Sequence, residues 1–133
     1  MPVELITVGT GACRELRFLV DALRSEGYRC RNAPSAKQVT RLAQHAAGSA
    51  ILVYNPPRQG TAREVLMALQ EIHSRLPVIV IVDEGDFEEY YELMCLGAYD
   101  YFGLPEGLPV IESAVRWAMA THPQPPRVAA SGS

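Results

Sequence analysis

The chain has no apolar run near the ~20 residues that a membrane-crossing helix needs, so no partner membrane is expected. Met1 to Leu5 contain no basic stretch leading into a long apolar segment, which argues against a secretory signal and for the cytoplasm. Cysteine is scarce. Cys13, Cys30 and Cys95 are odd in number, widely spaced and form no CxxC pair, so neither a disulfide framework nor a zinc site is indicated. There is no basic excess either: 12 Lys and Arg against 15 Asp and Glu leave a net charge of −3. That balance argues against nucleic acid held through its phosphates. The 3 histidines, His45, His73 and His122, are scattered, and no triad can be built from them. No nucleophile, base and metal set stands out, so an enzyme is not expected, nor any cofactor or metal.

What is present suits one domain. The 133 residues, 48% of them hydrophobic, can close a single core. Short apolar runs alternate with helical patterns. Val3–Val8, Tyr28–Asn32, Ala50–Tyr54, Pro77–Val82 and Tyr99–Phe102 read as strands. Glu15–Glu26 reads as the first helix, closed by Gly27. Ser35 with Gln38 and Thr61 with Glu64 read as capping boxes for the second and third helices, and Asp86 with Glu89 as the cap of the fourth. Val39, Leu42 and Ala46 form the apolar stripe of the second helix, and Leu108, Ile111, Val115 and Ala118 that of the fifth. Strands alternating with helices imply a parallel sheet covered on both faces. The domain is expected over residues 1–120, with 121–133 a Pro- and Ser-rich tail or linker stub.

Asn55 is the informative position. It ends the run Ala50–Tyr54 and precedes Pro56-Pro57, which places it at the carboxyl edge of the sheet, where α/β proteins build their sites. A carboxylate there could accept a phosphoryl group; an amide cannot form an acyl phosphate.

Gly97-Ala98-Tyr99-Asp100-Tyr101-Phe102, followed by Leu104-Pro105, resembles the GA-x-D-Y-L-x-K-P stretch around the fifth strand of response regulator receiver domains. Pro77–Ile81 with Asp86 is similar to that family's fourth strand and next cap. Ile51–Asn55 with Pro57 and Gly60 is similar to its third strand, acceptor Asp and following loop. The resemblance spans residues 3 to 120. It implies a CheY-like, flavodoxin-like fold: a doubly wound five-stranded parallel sheet of order 2-1-3-4-5 with helices on both faces. It also implies an acidic pair that holds Mg²⁺ after strand one, an Asp acceptor, a hydroxyl ending strand four and a Lys before the strand-five Pro. This chain departs at each. Gly9, Thr10 and Gly11 stand at the acidic pair, Asn55 at the acceptor, Val82 at the hydroxyl and Leu104 at the lysine. The expectation is a degenerate receiver with an apolar corner, acting in bacterial signalling independently of phosphorylation. Tyr101 stands where the family's mobile aromatic stands; with no hydroxyl at Val82 to attract it, one fixed position is expected.

Other readings compete. Gly9-Thr10-Gly11 before a helix, with Arg14, suits a small-ligand or nucleotide sensor. Against that, Arg14 occupies the third glycine position of G-x-G-x-x-G, and a tight turn explains the glycines. Asp83, beside Asn55, suits a displaced acceptor or weak cation site, while helix capping and a solvated face explain the rest of the acidic run Asp83–Glu92. Arg14, Arg17 and Arg24 lie along one helix, as a basic patch or a solvated face. Cys13, near a helix start, is either a reactive thiol or a small buried hydrophobe. Tyr91, Tyr101, Val110 and Trp117 are expected to form an aromatic surface on the fourth helix, fifth strand and fifth helix. The resemblance makes that face a docking site for a signalling protein or for a second copy; the alternative is packing against the domain's own edge.

Overall fold

Four apolar runs and one polar edge segment form the sheet of the computed structural model, which describes residues 4–45 and 50–121. The strands are β1 (Glu4–Val8), β2 (Arg29–Asn32), β3 (Ala50–Tyr54), β4 (Val78–Val82) and β5 (Asp100–Gly103). They run parallel in the order β2-β1-β3-β4-β5, as expected for a doubly wound sheet. β3 and β4 are buried at every position, which is why they read as unbroken apolar runs. β2 lies at an edge and is largely exposed, so its composition, Arg-Cys-Arg-Asn, can be polar.

The helices are α1 (Arg14–Ser25), α2 (Ala36–Ala43), α3 (Thr61–Glu71), α4 (Phe87–Cys95) and α5 (Leu108–Thr121). Alternation along each strand sorts the core into two layers. Ile51, Val53, Val78, Val80, Val82 and Tyr101 pack with Val39 of α2, Val65 of α3 and Leu93 of α4. Leu52, Tyr54, Ile79 and Ile81 face the other way, onto Leu16 and Leu23 of α1 and Ile111 and Val115 of α5. The same period carries past the end of β3. The Asn55 N–H donates to the Ile81 carbonyl at 2.9 Å, so residue 55 extends the ladder and falls on the α3–α4 face with Val53, Val82 and Tyr101.

Two expected caps form: the Ser35 hydroxyl accepts from the Gln38 N–H, and the Asp86 carboxylate from the Glu89 N–H. The Thr61–Glu64 box does not. Gly60 is the N-cap and Thr61 already lies inside α3. The side chain that accepts from the first turn of α3 is that of Asn55, whose Oδ1 takes the Ala62 N–H at 3.0 Å. Ala46 and residues 122–133 fall outside the described residues, and with them part of the expected α2 stripe and nearly all of the expected tail.

Two glycines fix the loops at the carboxyl edge. Gly9 has φ 74°, and a Cβ there would stand 3.1 Å from the Tyr54 carbonyl oxygen, so the turn after β1 is a close-packing turn. At Gly103 a Cβ would stand 2.8 Å from the Gly85 nitrogen, so the loop after β4 lies directly on the end of β5. Among the described residues, no helix is long and apolar enough to cross a membrane.

Candidate functional site

Where β3 and β4 end, a cleft of about 500 Å³ opens between the loops leading to α3 and α4. It is lined by Asn55, Arg58, Val82, Asp83, Asp86 and Glu89, among others. Asn55 is only 4% exposed, and both ends of its amide are engaged. Oδ1 accepts from the Ala62 N–H, and Nδ2 donates to Glu89 Oε2 at 3.0 Å. Glu89 reaches this point because Asp86 caps α4 and sets the helix over the sheet. Its other oxygen, Oε1, accepts the Tyr101 hydroxyl at 2.6 Å, and that hydroxyl in turn accepts from the Asp86 N–H at 3.1 Å. Val82, between Asn55 and Tyr101 on the same face, offers no polar atom to either. Burial, and then the bond to Glu89, push the Tyr101 phenol up to about 12.

Tyr101 is 7% exposed and belongs to the core, which corrects its expected place on the aromatic surface. Strand alternation is the reason: residue 101 shares the inward face of Val82, not the outer edge. Its ring meets Tyr90 edge-on at 5.7 Å between centroids, and Tyr90 stacks with Phe87 at 6.3 Å. Phe87 is 76% exposed, so an aromatic row runs from the Asn55 cleft to the outside of α4. The other three expected surface residues, Tyr91, Val110 and Trp117, are exposed.

The expected apolar corner forms only in part. Val82 lines the cleft, but Leu104 does not; it sits in a short 3-10 turn, Leu104–Glu106, and packs against the α1–α5 layer. Carboxylates of Asp83, Asp86 and Glu89 occupy the space instead. Asp83 lies beside Asn55 as expected, and its Oδ1 accepts the Tyr54 hydroxyl at 2.6 Å. That bond, with burial, pushes the Tyr54 phenol up to about 12. Among the described residues, no cluster of His, Cys, Asp and Glu has the arrangement to hold a metal ion.

Gly9, Thr10 and Gly11 do not reach the cleft. Gly9 packs on Tyr54, while Thr10 and Gly11 line a separate cavity toward β2. Arg14, the expected anion partner, lines neither cavity. The Cys13 thiol is buried and donates to Glu15 Oε1 at 3.6 Å, and burial raises its pKa, the opposite of an activated thiol. Glu89 is the cleft residue that sequence reasoning missed: as the capping partner of Asp86 it already had a sufficient local explanation.

No protein-family model and no curated protein matches the chain. Solved structures do. The FixJ-N structure superposes with a TM-score of 0.73 at 22% identity, covering 90% of this chain and 94% of that one. The receiver domain of NtrX from Brucella abortus gives 0.66 at 21% identity, covering 88% and 98%. A CheY-like receiver domain protein from Methanospirillum hungatei gives 0.66 at 14% identity, covering 90% and 95%. The strand order and the five flanking helices agree with these structures, and the chain has the CheY-like fold of response regulator receiver domains.

Proposed function

We propose that this chain is a receiver-like module of a bacterial signalling system that acts without phosphorylation and without catalysis, by presenting a surface to a protein partner. One observation carries the reading: the Asn55 amide, at the acceptor position, is held at both ends by Ala62 and Glu89. An amide offers no oxygen nucleophile able to form an acyl phosphate, and a carboxylate already stands against it. Val82 in place of a hydroxyl, and Leu104 turned away from the cleft, agree with this. The partner surface is the one carrying Tyr91, Val110 and Trp117, each more than 45% exposed, and a homodimer through that face is part of the reading. Cytoplasmic location, and no direct contact with nucleic acid or membrane, belong to the same proposal.

Intact-mass measurement after incubation with acetyl phosphate and Mg²⁺ tests the first half. The mass is expected to stay unchanged; an adduct overturns phosphorylation independence. A second reading has one observation behind it. Asp83 lines the same cleft, and among the described residues only its Oδ1 is engaged, by Tyr54. An adduct that disappears in Asp83→Ala would make Asp83 a displaced acceptor. Light scattering tests the surface: self-association is expected to weaken in Tyr91→Ala and Trp117→Ala and to survive in a distant variant such as Phe18→Ala.

A further inference from the structure

The second cavity, about 250 Å³, opens at the carboxyl edge of β1 beside β2 and α1, and its walls include Thr7, Thr10, Arg17, Asp21, Arg24 and Asn32. Thr10 is 5% exposed, yet its hydroxyl has no hydrogen-bond partner among the described residues, an arrangement that buried polar groups rarely keep without a ligand or water. Arg24 is spoken for: it donates to the Cys30 carbonyl at 3.1 Å and pairs with Asp21 at 3.8 Å. That exposed pair offsets part of the Asp21 charge at the cavity rim. Arg17 has no ion-pair partner among the described residues, so its guanidinium is the uncompensated charge of the cavity. Asn32 adds an amide. The Thr7 hydroxyl, 2% exposed, makes only a long 3.5 Å bond to the Arg31 carbonyl. Hydroxyls, an amide and one unpaired guanidinium around a small concavity are the donor set for an oxyanion, here at the carboxyl end of β1.

We propose that this cavity binds a small oxyanion, a phosphate or the phosphate end of a small monoester, through Arg17 and the Thr10 hydroxyl. The site differs from a helix N-terminal cradle, since Arg14 and Gly9 do not line it. It is also independent of the phosphorylation question, because it shares no residue with the Asn55 cleft.

Titration calorimetry with inorganic phosphate and with phenyl phosphate, at constant ionic strength, tests the proposal. Saturable binding is expected, weakened tenfold or more in Arg17→Gln. Gly11→Asp places a carboxylate at the cavity mouth, where a Cβ meets nothing within 4 Å, and is expected to abolish binding without unfolding the chain; thermal melts of each variant check that. Arg58→Gln, in the other cleft, is expected to bind like the parent. Equal affinity for both probes identifies free phosphate as the ligand, and preference for phenyl phosphate identifies a monoester. Absence of saturable binding overturns the proposal, as does wild-type affinity in both Arg17→Gln and Gly11→Asp, which would mean an adventitious ion only.

Discussion

Glu89 holds Asn55 with one carboxylate oxygen, at 3.0 Å, and Tyr101 with the other, at 2.6 Å. One side chain of α4 thus ties the end of β3 to the middle of β5, across a strand whose side chain there, that of Val82, has no polar atom to offer. The bridge is charge-assisted on both sides.

Removing the charge while keeping the shape isolates that bridge. Glu89→Gln can accept through only one atom, so one of the two bonds is lost. A loss of about 1–3 kcal/mol is expected, read from urea midpoints. In a double-mutant cycle Glu89→Gln and Tyr101→Phe are expected to be non-additive by about 0.5 kcal/mol or more; strict additivity would mean that the two side chains are not coupled.

Restoring an acid at position 55 is expected to harm the fold, not to repair a phosphorylation site. In Asn55→Asp the Nδ2 donor disappears and a second carboxylate faces Glu89. Two acids at that distance cannot both ionise easily, so the pKa of one is raised. A raised acid pKa favours the protonated native state, so the stability deficit grows as pH rises through that value and shrinks on acidification. The expected loss near neutral pH is about 1–2 kcal/mol. Denaturation series at several pH values check the trend, and acetyl phosphate is still expected to leave the mass unchanged.

Two phenols should ionise late. Tyr54 and Tyr101 are both pushed up to about 12, against about 10 for an exposed tyrosine. Because the native state holds these protons more tightly than the unfolded chain, their contribution is complete below about pH 10 and is lost as pH climbs toward 12. Ultraviolet titration of phenolate absorbance is expected to show a late phase that shrinks in Tyr54→Phe and in Tyr101→Phe.

Much of the architecture was legible because β3 and β4 are apolar at every residue and Asn55 marks where β3 stops. The absence of any acid between Val8 and Cys13 was equally plain. Glu89 was not legible, since it lies 34 residues from Asn55 and meets it only once α4 is laid on the sheet. Tyr101 was misplaced for a different reason. Gly103 pairs with Val82, and two residues back along β5 the same inward face carries Tyr101, a relation that needs the strand register and not the local sequence. The Thr61 cap failed because a long-range acceptor, Asn55, reached the first turn of α3 in place of a local one.

Gly103→Ala tests the seat of the loop after β4. The added Cβ would lie 2.8 Å from a backbone nitrogen, which cannot swing aside as a side-chain tip can. A destabilisation of about 1–3 kcal/mol is expected, measured by thermal melting. Gly11→Ala, with open space around it, should melt within about 0.5 kcal/mol of the parent.

The row Phe87–Tyr90–Tyr101 has a consequence for how such a domain could be tuned. Anything that grips the outer ring of Phe87 leans, through two ring contacts, on the hydroxyl that Glu89 shares with Asn55. If that lean carries free energy, reciprocity requires that loosening Asn55 change how firmly the outer ring is held. A grip on Phe87 would therefore be felt first where α4 leans on the carboxyl ends of β3 and β5.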